Sequence, residues 1–264
     1  MSDYQLRFAG IARLYGTSAL ETFNAAHICV VGIGGVGSWA AEALARSGIG
    51  RITLIDLDDV CISNTNRQLH ALTDTIGQDK VAVMAQRIKA INPECVVHQV
   101  EDFVTTDNLQ SLITSDMDYV VDAIDSIKAK TALLAHCKRN KIKLISTGGA
   151  GGQTDPTQIQ IADLTQTIND PLLAKVRNSL RRDYNYSRNP KRRFGIECVF
   201  STEQLVYPQP DGSVCQQKTP QVTDSGEVSS MRLDCSGGFG AVTVVTASFG
   251  FAAVSRVLKK LAQR

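Results

Sequence analysis

The sequence lacks paired cysteines. It has seven, Cys29, Cys61, Cys95, Cys137, Cys198, Cys215 and Cys235, an odd number with no C-x-x-C spacing. In a chain of 264 residues this argues against a disulfide framework and for a reducing compartment, the cytoplasm. It also removes the usual ligand set for structural zinc, so no zinc is expected. The four histidines, His27, His70, His98 and His136, have no metal-ligand spacing either. There is no internal repeat, and the first residues, MSDYQLRFAG, carry no apolar signal core. Charge of one sign is not in excess: the net charge is +2, which neither demands nor excludes nucleic acid. The one long apolar run, residues 241–257, is short for a membrane span. It contains Thr243, Thr246, Ser248 and, near its end, Arg256, and is followed by Lys259 and Lys260, so it reads as a buried core helix.

What is present is an ordinary core-forming composition, 43% hydrophobic and 20% charged, with a strand–helix alternation over residues 27–147. Strands are predicted from His27, from Arg51, over 96–100, from Tyr119 and from Leu144. Helices are predicted over 38–47, 80–91 and around 129–138. That order predicts an α/β, Rossmann-like, doubly wound and mostly parallel sheet. The glycine run at 148–152 reads as flexible, and residues 158–162 as a further strand. A closing helix is expected over about 242–262. The chain reads as a single domain over 1–264. Residues 165–230 form an insertion with a basic segment and a mobile loop at 209–229.

Between the first strand and its helix lies GIGGVGS, with Gly32, Gly34 and Gly37 in G-x-G-x-x-G register and Gly35 and Ser38 inside the same turn. Glycines there permit the tight turn and let phosphate reach backbone N–H groups at a helix N-terminus. Asp56, nineteen residues after Gly37, ends the second strand, where a carboxylate can meet a ribose hydroxyl. Asp58 follows, then Asn64, Asn66 and Arg67, with Lys80 thirteen residues beyond Arg67. A hydride-transfer enzyme has no need of that cation pair. An adenylating enzyme must stabilise a pentacoordinate α-phosphate and departing pyrophosphate, for which an Arg fork and a Lys point charge are suited. Asp122 and Asp125, at the end of the fourth strand, are the candidate Mg²⁺ carboxylates.

GIGGVGS, LIDLDDV, SNTNRQ, GQDK and VVDAID together resemble the superfamily of ubiquitin-activating enzymes and their bacterial relatives in molybdopterin and thiamine biosynthesis. The resemblance implies adenylation of a carboxylate by ATP with Mg²⁺, usually in a homodimer. Asp56 would hold the ribose, Asn66, Arg67 and Lys80 the phosphates, and Asp125 magnesium or the phosphate side. Those relatives place an arginine near the N-terminus that reaches the partner's site. The matching register here holds Gly10, leaving Arg13 or Arg7 for that role. RFAGIARLYG, TGGAGGQTDPTQI and LDCSGGFGA extend the similarity, over nearly the whole chain, to the tRNA-modifying branch. That branch implies ATP-dependent cyclisation of threonylcarbamoyladenosine in tRNA, with a sulfur-relay protein as a further candidate partner. The alternative is adenylation of the C-terminal glycine of a ubiquitin-like sulfur carrier, against which the missing zinc cysteines count.

Residues 173–194 hold eight Lys or Arg, among them Arg181, Arg182, Arg192 and Arg193, against Asp183 alone, with Tyr184 and Tyr186 interleaved. Such a cluster suits RNA phosphates and stacked bases, as well as a solvated helix face. Cys235 would serve a thioester or persulfide mechanism. Cyclisation needs no covalent enzyme intermediate, so a packing role beside a glycine turn is expected.

Overall fold

The β-branched run His27–Val31 forms strand β1, buried along its whole length at the centre of the sheet. The computed structural model describes residues 2–209, 211–216, 221–222, 228–229 and 239–263. Three N-terminal helices, α1 (Asp3–Arg7), α2 (Ala9–Tyr15) and α3 (Thr17–Ala25), precede β1. Then follow α4 (Gly37–Arg46), β2 (Arg51–Ile55), α5 (Lys80–Ile91), β3 (Val96–Val100), α6 (Leu109–Leu112), β4 (Tyr119–Asp122), α7 (Ile127–Arg139) and β5 (Leu144–Thr147). Beyond lie β6 (Ile159–Asp163), α8 (Pro171–Asp183) and β7 (Glu197–Ser201). Four two-residue strands follow, then the closing helix α9 (Thr243–Leu261).

The seven-stranded sheet runs β3-β2-β1-β4-β5-β7-β6. All pairs are parallel except β6 with β7. Both faces are covered, which is why the inner strands read as unbroken apolar runs. Ile28 and Val30 point into a core with α4, α5 and α9 through Leu44, Met84, Ile88 and Phe249. Cys29 and Val31 point the other way, into a core with α7 and α8 through Leu133, Leu134, Leu173 and Leu180. Val31 pairs with Ile55 on one side and Asp122 on the other. The ends of three strands are thereby level, so the loops after them meet along one edge.

Helices 80–91 and strand 96–100 lie where periodicity predicts them. The apolar run before the C-terminus is a core helix: Val245, Phe249, Ala253 and Val257 of α9 are fully buried. A Cβ at Gly250 would lie 2.7 Å from the Val36 carbonyl oxygen, so α9 crosses the start of α4 with the two backbones touching. Among the described residues no helix is long and apolar enough to cross a membrane. The glycine run after β5, expected to be flexible, is tied: Gly148 N–H donates to Val199 and Gly152 N–H to Gly240, at 2.8 Å each. Much of the predicted mobile loop lies outside the described residues. Its described parts include Val214–Cys215, which pairs with Tyr207–Pro208 just before the loop, and Gln221–Val222, which pairs with Val228–Ser229.

One ion pair is sealed inside the sheet. Lys130 Nζ donates to Asp122 Oδ2 at 2.7 Å, with both side chains fully buried. Ser146 Oγ donates to the same oxygen at 2.6 Å. Removing one member of such a pair leaves an uncompensated charge, at a cost of about 3–5 kcal/mol. Lys130→Met is expected to lose about that much in urea unfolding, and adding Asp122→Asn to recover most of it. A single-variant loss of under about 1 kcal/mol would mean water already reaches the pair.

Candidate active site

The glycine loop leaves β1 at Gly32, whose φ of +85° and distance to its neighbours both require glycine. A Cβ there would meet the Ala123 carbonyl oxygen at 2.9 Å. At Gly37 a Cβ would lie 1.7 Å from the Gly32 carbonyl oxygen, so the turn closes only on two glycines. Gly34 and Gly35 line a cavity of about 1410 Å³ that opens along the level strand ends. Gly37 and Ser38 do not line it. Ser38 is fully buried and its hydroxyl accepts from Leu69 N–H at 3.3 Å.

Asp56, half-buried at the cavity wall, uses both carboxylate oxygens. Oδ2 accepts from Ile33 N–H at 2.5 Å and Oδ1 from Asp58 N–H at 2.9 Å. Asp58 in turn accepts from Lys80 Nζ at 2.8 Å. The Lys80 side chain is 6% exposed and that of Asp58 55%, so the lysine is held from its open side. Arg67 Nη1 donates to the Ser63 carbonyl at 2.8 Å and to Asn66 Oδ1 at 3.0 Å. Asn64 is buried, accepting from Cys61 N–H at 3.1 Å. Asp56, Asp58, Asn64, Asn66, Arg67, Lys80 and Asp125 all line the cavity. Residues far apart in sequence thus place two cations, an exposed carboxylate and a glycine turn around one space.

Asp122 does not join them. It is spent on Lys130, and of the two carboxylates expected near Mg²⁺ only Asp125 lies open on the cavity. Among the described residues no group of three or more His, Cys, Asp or Glu side chains is placed to hold a metal ion. Arg13 is exposed on α2 and lies outside the cavity of its own chain. Arg7 is tied to Asp3 at 2.7 Å and to the Ile91 carbonyl. Cys235 lies outside the described residues. The cavity does contain another thiol, the exposed Cys61.

Several contributors were not apparent from residue type. His70, 1% exposed, donates through Nε2 to the Ile33 carbonyl at 2.7 Å, which fixes the tautomer and leaves Nδ1 without a proton. Burial pushes its pKa down, and Lys80 adds to that despite the opposing hydrogen bond. Gln68, buried beside Gly34, lines the cavity, and its Oε1 has no hydrogen-bond partner among the described residues. The start of α9 grips the arginine segment. Thr243 Oγ1 donates to the Asn66 carbonyl at 2.6 Å, Asn66 Nδ2 to the Ala241 carbonyl at 2.7 Å, and Thr246 Oγ1 to the Arg67 carbonyl at 3.3 Å.

The basic segment divides in two. Arg177 is turned inward, donating to Leu164 and Thr167, with its pKa lowered by burial. Arg181 lies over the Phe194 ring at 5.6 Å, and Arg182 pairs with Asp183 at 2.7 Å. Tyr184 and Tyr186 pack on the α7–α8 core rather than standing free, and Tyr186 meets Phe194 edge-on at 4.8 Å. Arg188, Lys191, Arg192 and Arg193 remain exposed.

Comparison with known proteins gives this arrangement a lineage. The chain is 60% identical over 258 residues to the tRNA threonylcarbamoyladenosine dehydratase of Escherichia coli, covering 98% of this chain and 94% of that one. The crystal structure of the E. coli enzyme in complex with ATP matches with a TM-score of 0.87 and 56% identity, over 99% of this chain and 96% of that one. Its complex with AMP matches with the same TM-score and 57% identity, over the same shares of the two chains. Residues 6–264, from the N-terminal helices through α9, match the ThiF family, and the chain belongs to it.

Proposed function

We infer that this chain is an ATP-dependent tRNA threonylcarbamoyladenosine dehydratase, which adenylates the threonyl carboxylate and releases AMP on ring closure. The observation that carries the reading is the shared cavity: glycine loop, Asp56, Arg67, Lys80 and Asp125 around one space, in a chain alike end to end to an enzyme solved with ATP and with AMP.

In the first step a carboxylate oxygen attacks the α-phosphorus and pyrophosphate leaves. Charge grows on the phosphate oxygens, and Arg67 and Lys80 are the cations on the cavity wall to meet it. Asp56 holds the glycine loop through Ile33 and still faces the cavity, so a ribose hydroxyl is within its scope. A single exposed carboxylate fits Mg²⁺, which commonly takes one or two protein carboxylates and completes its shell with phosphates and water. Asp125 is the residue to hold it, and bound there the ion supplies further neutralisation of phosphate charge. In the second step a nitrogen of the same modification attacks the acyl carbon and expels AMP. Intramolecular attack needs chiefly positioning.

The exposed part of the basic segment, with Arg192 and Arg193, is proposed to meet tRNA phosphates. Arg181 and Arg182 contribute less, because their charges are already engaged. A homodimer is proposed as the assembly, with Arg13 as the residue free to reach a second subunit. A sulfur-relay protein is kept as a further candidate partner.

Arg67→Ala and Lys80→Ala should each lower AMP formation with modified tRNA by about 10²–10³-fold while the fold persists. Asp125→Ala should act alike, with partial rescue by raised Mg²⁺. Near-normal turnover of Arg67→Ala, measured as AMP released at saturating ATP, would remove the site assignment. Mass spectrometry of nucleosides from the same reaction should show loss of one water from the modified adenosine.

Charge reversal at Arg192 and Arg193 should weaken tRNA binding and leave ATP binding unchanged. The slope of log affinity against log salt should flatten by about one for each phosphate no longer neutralised. Equal affinities for parent and variant at low and high salt would make the segment a solvated face.

A further inference from the structure

A second loop lines the cavity that holds the phosphate machinery: residues 148–151, directly after β5. Gly149 is held at both of its backbone polar groups. Its N–H donates to Asp170 Oδ2 at 3.0 Å, and its carbonyl accepts from Gln153 Nε2 at 2.9 Å. Both side chains are buried, Asp170 at 6% and Gln153 at 3% exposure. A Cβ on Gly148 would lie 1.8 Å from Asp170 Oδ2, so the carboxylate reaches this loop only because glycine stands there. At Gly149 nothing lies within 4 Å of where a Cβ would be, so that side of the loop is open.

The Gly149 carbonyl and the Ala150 N–H belong to one planar trans peptide and point in opposite directions. By fixing the carbonyl, Gln153 therefore aims the Ala150 N–H. Among the described residues neither Ala150 N–H nor Gly151 N–H has an acceptor, whereas Gly148 and Gly152 on either side are both bonded. Two successive backbone donors thus have no acceptor among the described residues, on a cavity-lining loop locked from behind. Arg67 and Lys80 suit phosphate oxygens, yet ring closure develops negative charge on a different atom, the acyl oxygen.

We propose that the Ala150 and Gly151 N–H groups receive the acyl oxygen during ring closure, with Gln153 and Asp170 as the positioning residues that aim them. The assignment rests on the dehydratase reading above. The nitrogen lone pair forms the N–C bond to the acyl carbon, and the carbonyl π pair moves onto oxygen, where the two N–H groups meet it. The carbonyl then re-forms, the C–O bond to AMP breaks with its electron pair on AMP, and the nitrogen's proton passes to solvent. Nothing is oxidised or reduced.

The test separates the two chemical steps. Gln153→Leu keeps the volume and removes the donor to Gly149. Among the described residues the Gln153 Oε1 has no partner, so its removal leaves no donor unpaired and folding should change little. Asp170→Ser keeps a side-chain cap for Leu173 N–H at the start of α8 and gives up Gly149. Both variants should retain modified-tRNA-dependent ATP–pyrophosphate exchange at or above the parent rate. In single turnover both should form cyclised nucleoside about 10–100-fold more slowly, short of the 10²–10³ typical of a deleted donor. Exchange and cyclisation falling together, or cyclisation at the parent rate, overturns the assignment. Should Asp170→Ser fail to fold, Gln153→Leu decides alone. Absence of cyclised nucleoside after incubation of the parent protein with ATP and modified tRNA overturns the dehydratase reading itself, and this assignment with it.

Discussion

The 2.5 Å hydrogen bond from Ile33 N–H to Asp56 Oδ2 joins the glycine loop to the end of the neighbouring strand, and much of the site hangs from it. A glycine-rich turn has little conformational preference of its own, so its shape must be imposed from outside. Asp56 holds the Ile33 N–H, and the buried His70 holds the Ile33 carbonyl. The other oxygen of Asp56 holds the backbone of Asp58, whose carboxylate holds Lys80. One carboxylate at the tip of β2 thereby orders both the backbone proposed to meet phosphate and the lysine proposed to act on it. The parallel register of β1 with β2 makes this possible, because Val31 and Ile55 are level and the residues after them are neighbours.

Arg67 depends on a more distant part of the chain. Its own side-chain bonds are local, to Ser63 and Asn66. Its backbone, however, is bracketed by Trp39 Nε1 from α4 and Thr246 from α9. α9 comes close because Gly250 allows it to touch the backbone of α4. The apolar C-terminal helix therefore does two things at once: it covers one face of the sheet, and its first turn fixes the arginine segment.

How far the sequence disclosed this depends on the range of the interactions involved. Strand and helix positions from 27 to 147 were legible because hydrophobic period is a local property. The glycine turn and Asp56 were legible because their spacing is set by one strand–helix–strand unit. Asp122 and Asp125 were not separable, since both sit near the end of one strand. Their fates part because Asp122 is still in register with Val31 and Ser146, inside the sheet, whereas Asp125 is three residues past its end. The basic segment misled for a similar reason. α8 is amphipathic, so Arg177 and Arg181 are drawn toward the core along with Leu173, Val176 and Leu180. Composition counted their charges without knowing which face they occupy. The grip of α9 on residues 66–67 spans more than 170 positions and left no local signature.

The role of Asp170 ties these threads together. It caps α8 through Leu173 N–H and holds Gly149 through its other oxygen, so the helix and the loop after β5 share one buried carboxylate. The first residues of α8, Pro171 and Leu172, line the cavity, while the exposed Arg192 and Arg193 lie beyond its other end. A helix of 13 residues extends for about 20 Å. Its inner face is fixed on α7 by packing between Leu172, Leu173, Val176 and Leu180 and the α7 leucines. A polynucleotide held, as proposed, at Arg192 and Arg193 would be referred to the cavity through α8 and the segment that joins it to β7. Rigidity matters because the proposed substrate group is one modified base on a large molecule, and small displacements from reactive geometry are costly in rate. Building the loop after β5 and the start of α8 on the same carboxylate fixes the cavity end of that distance.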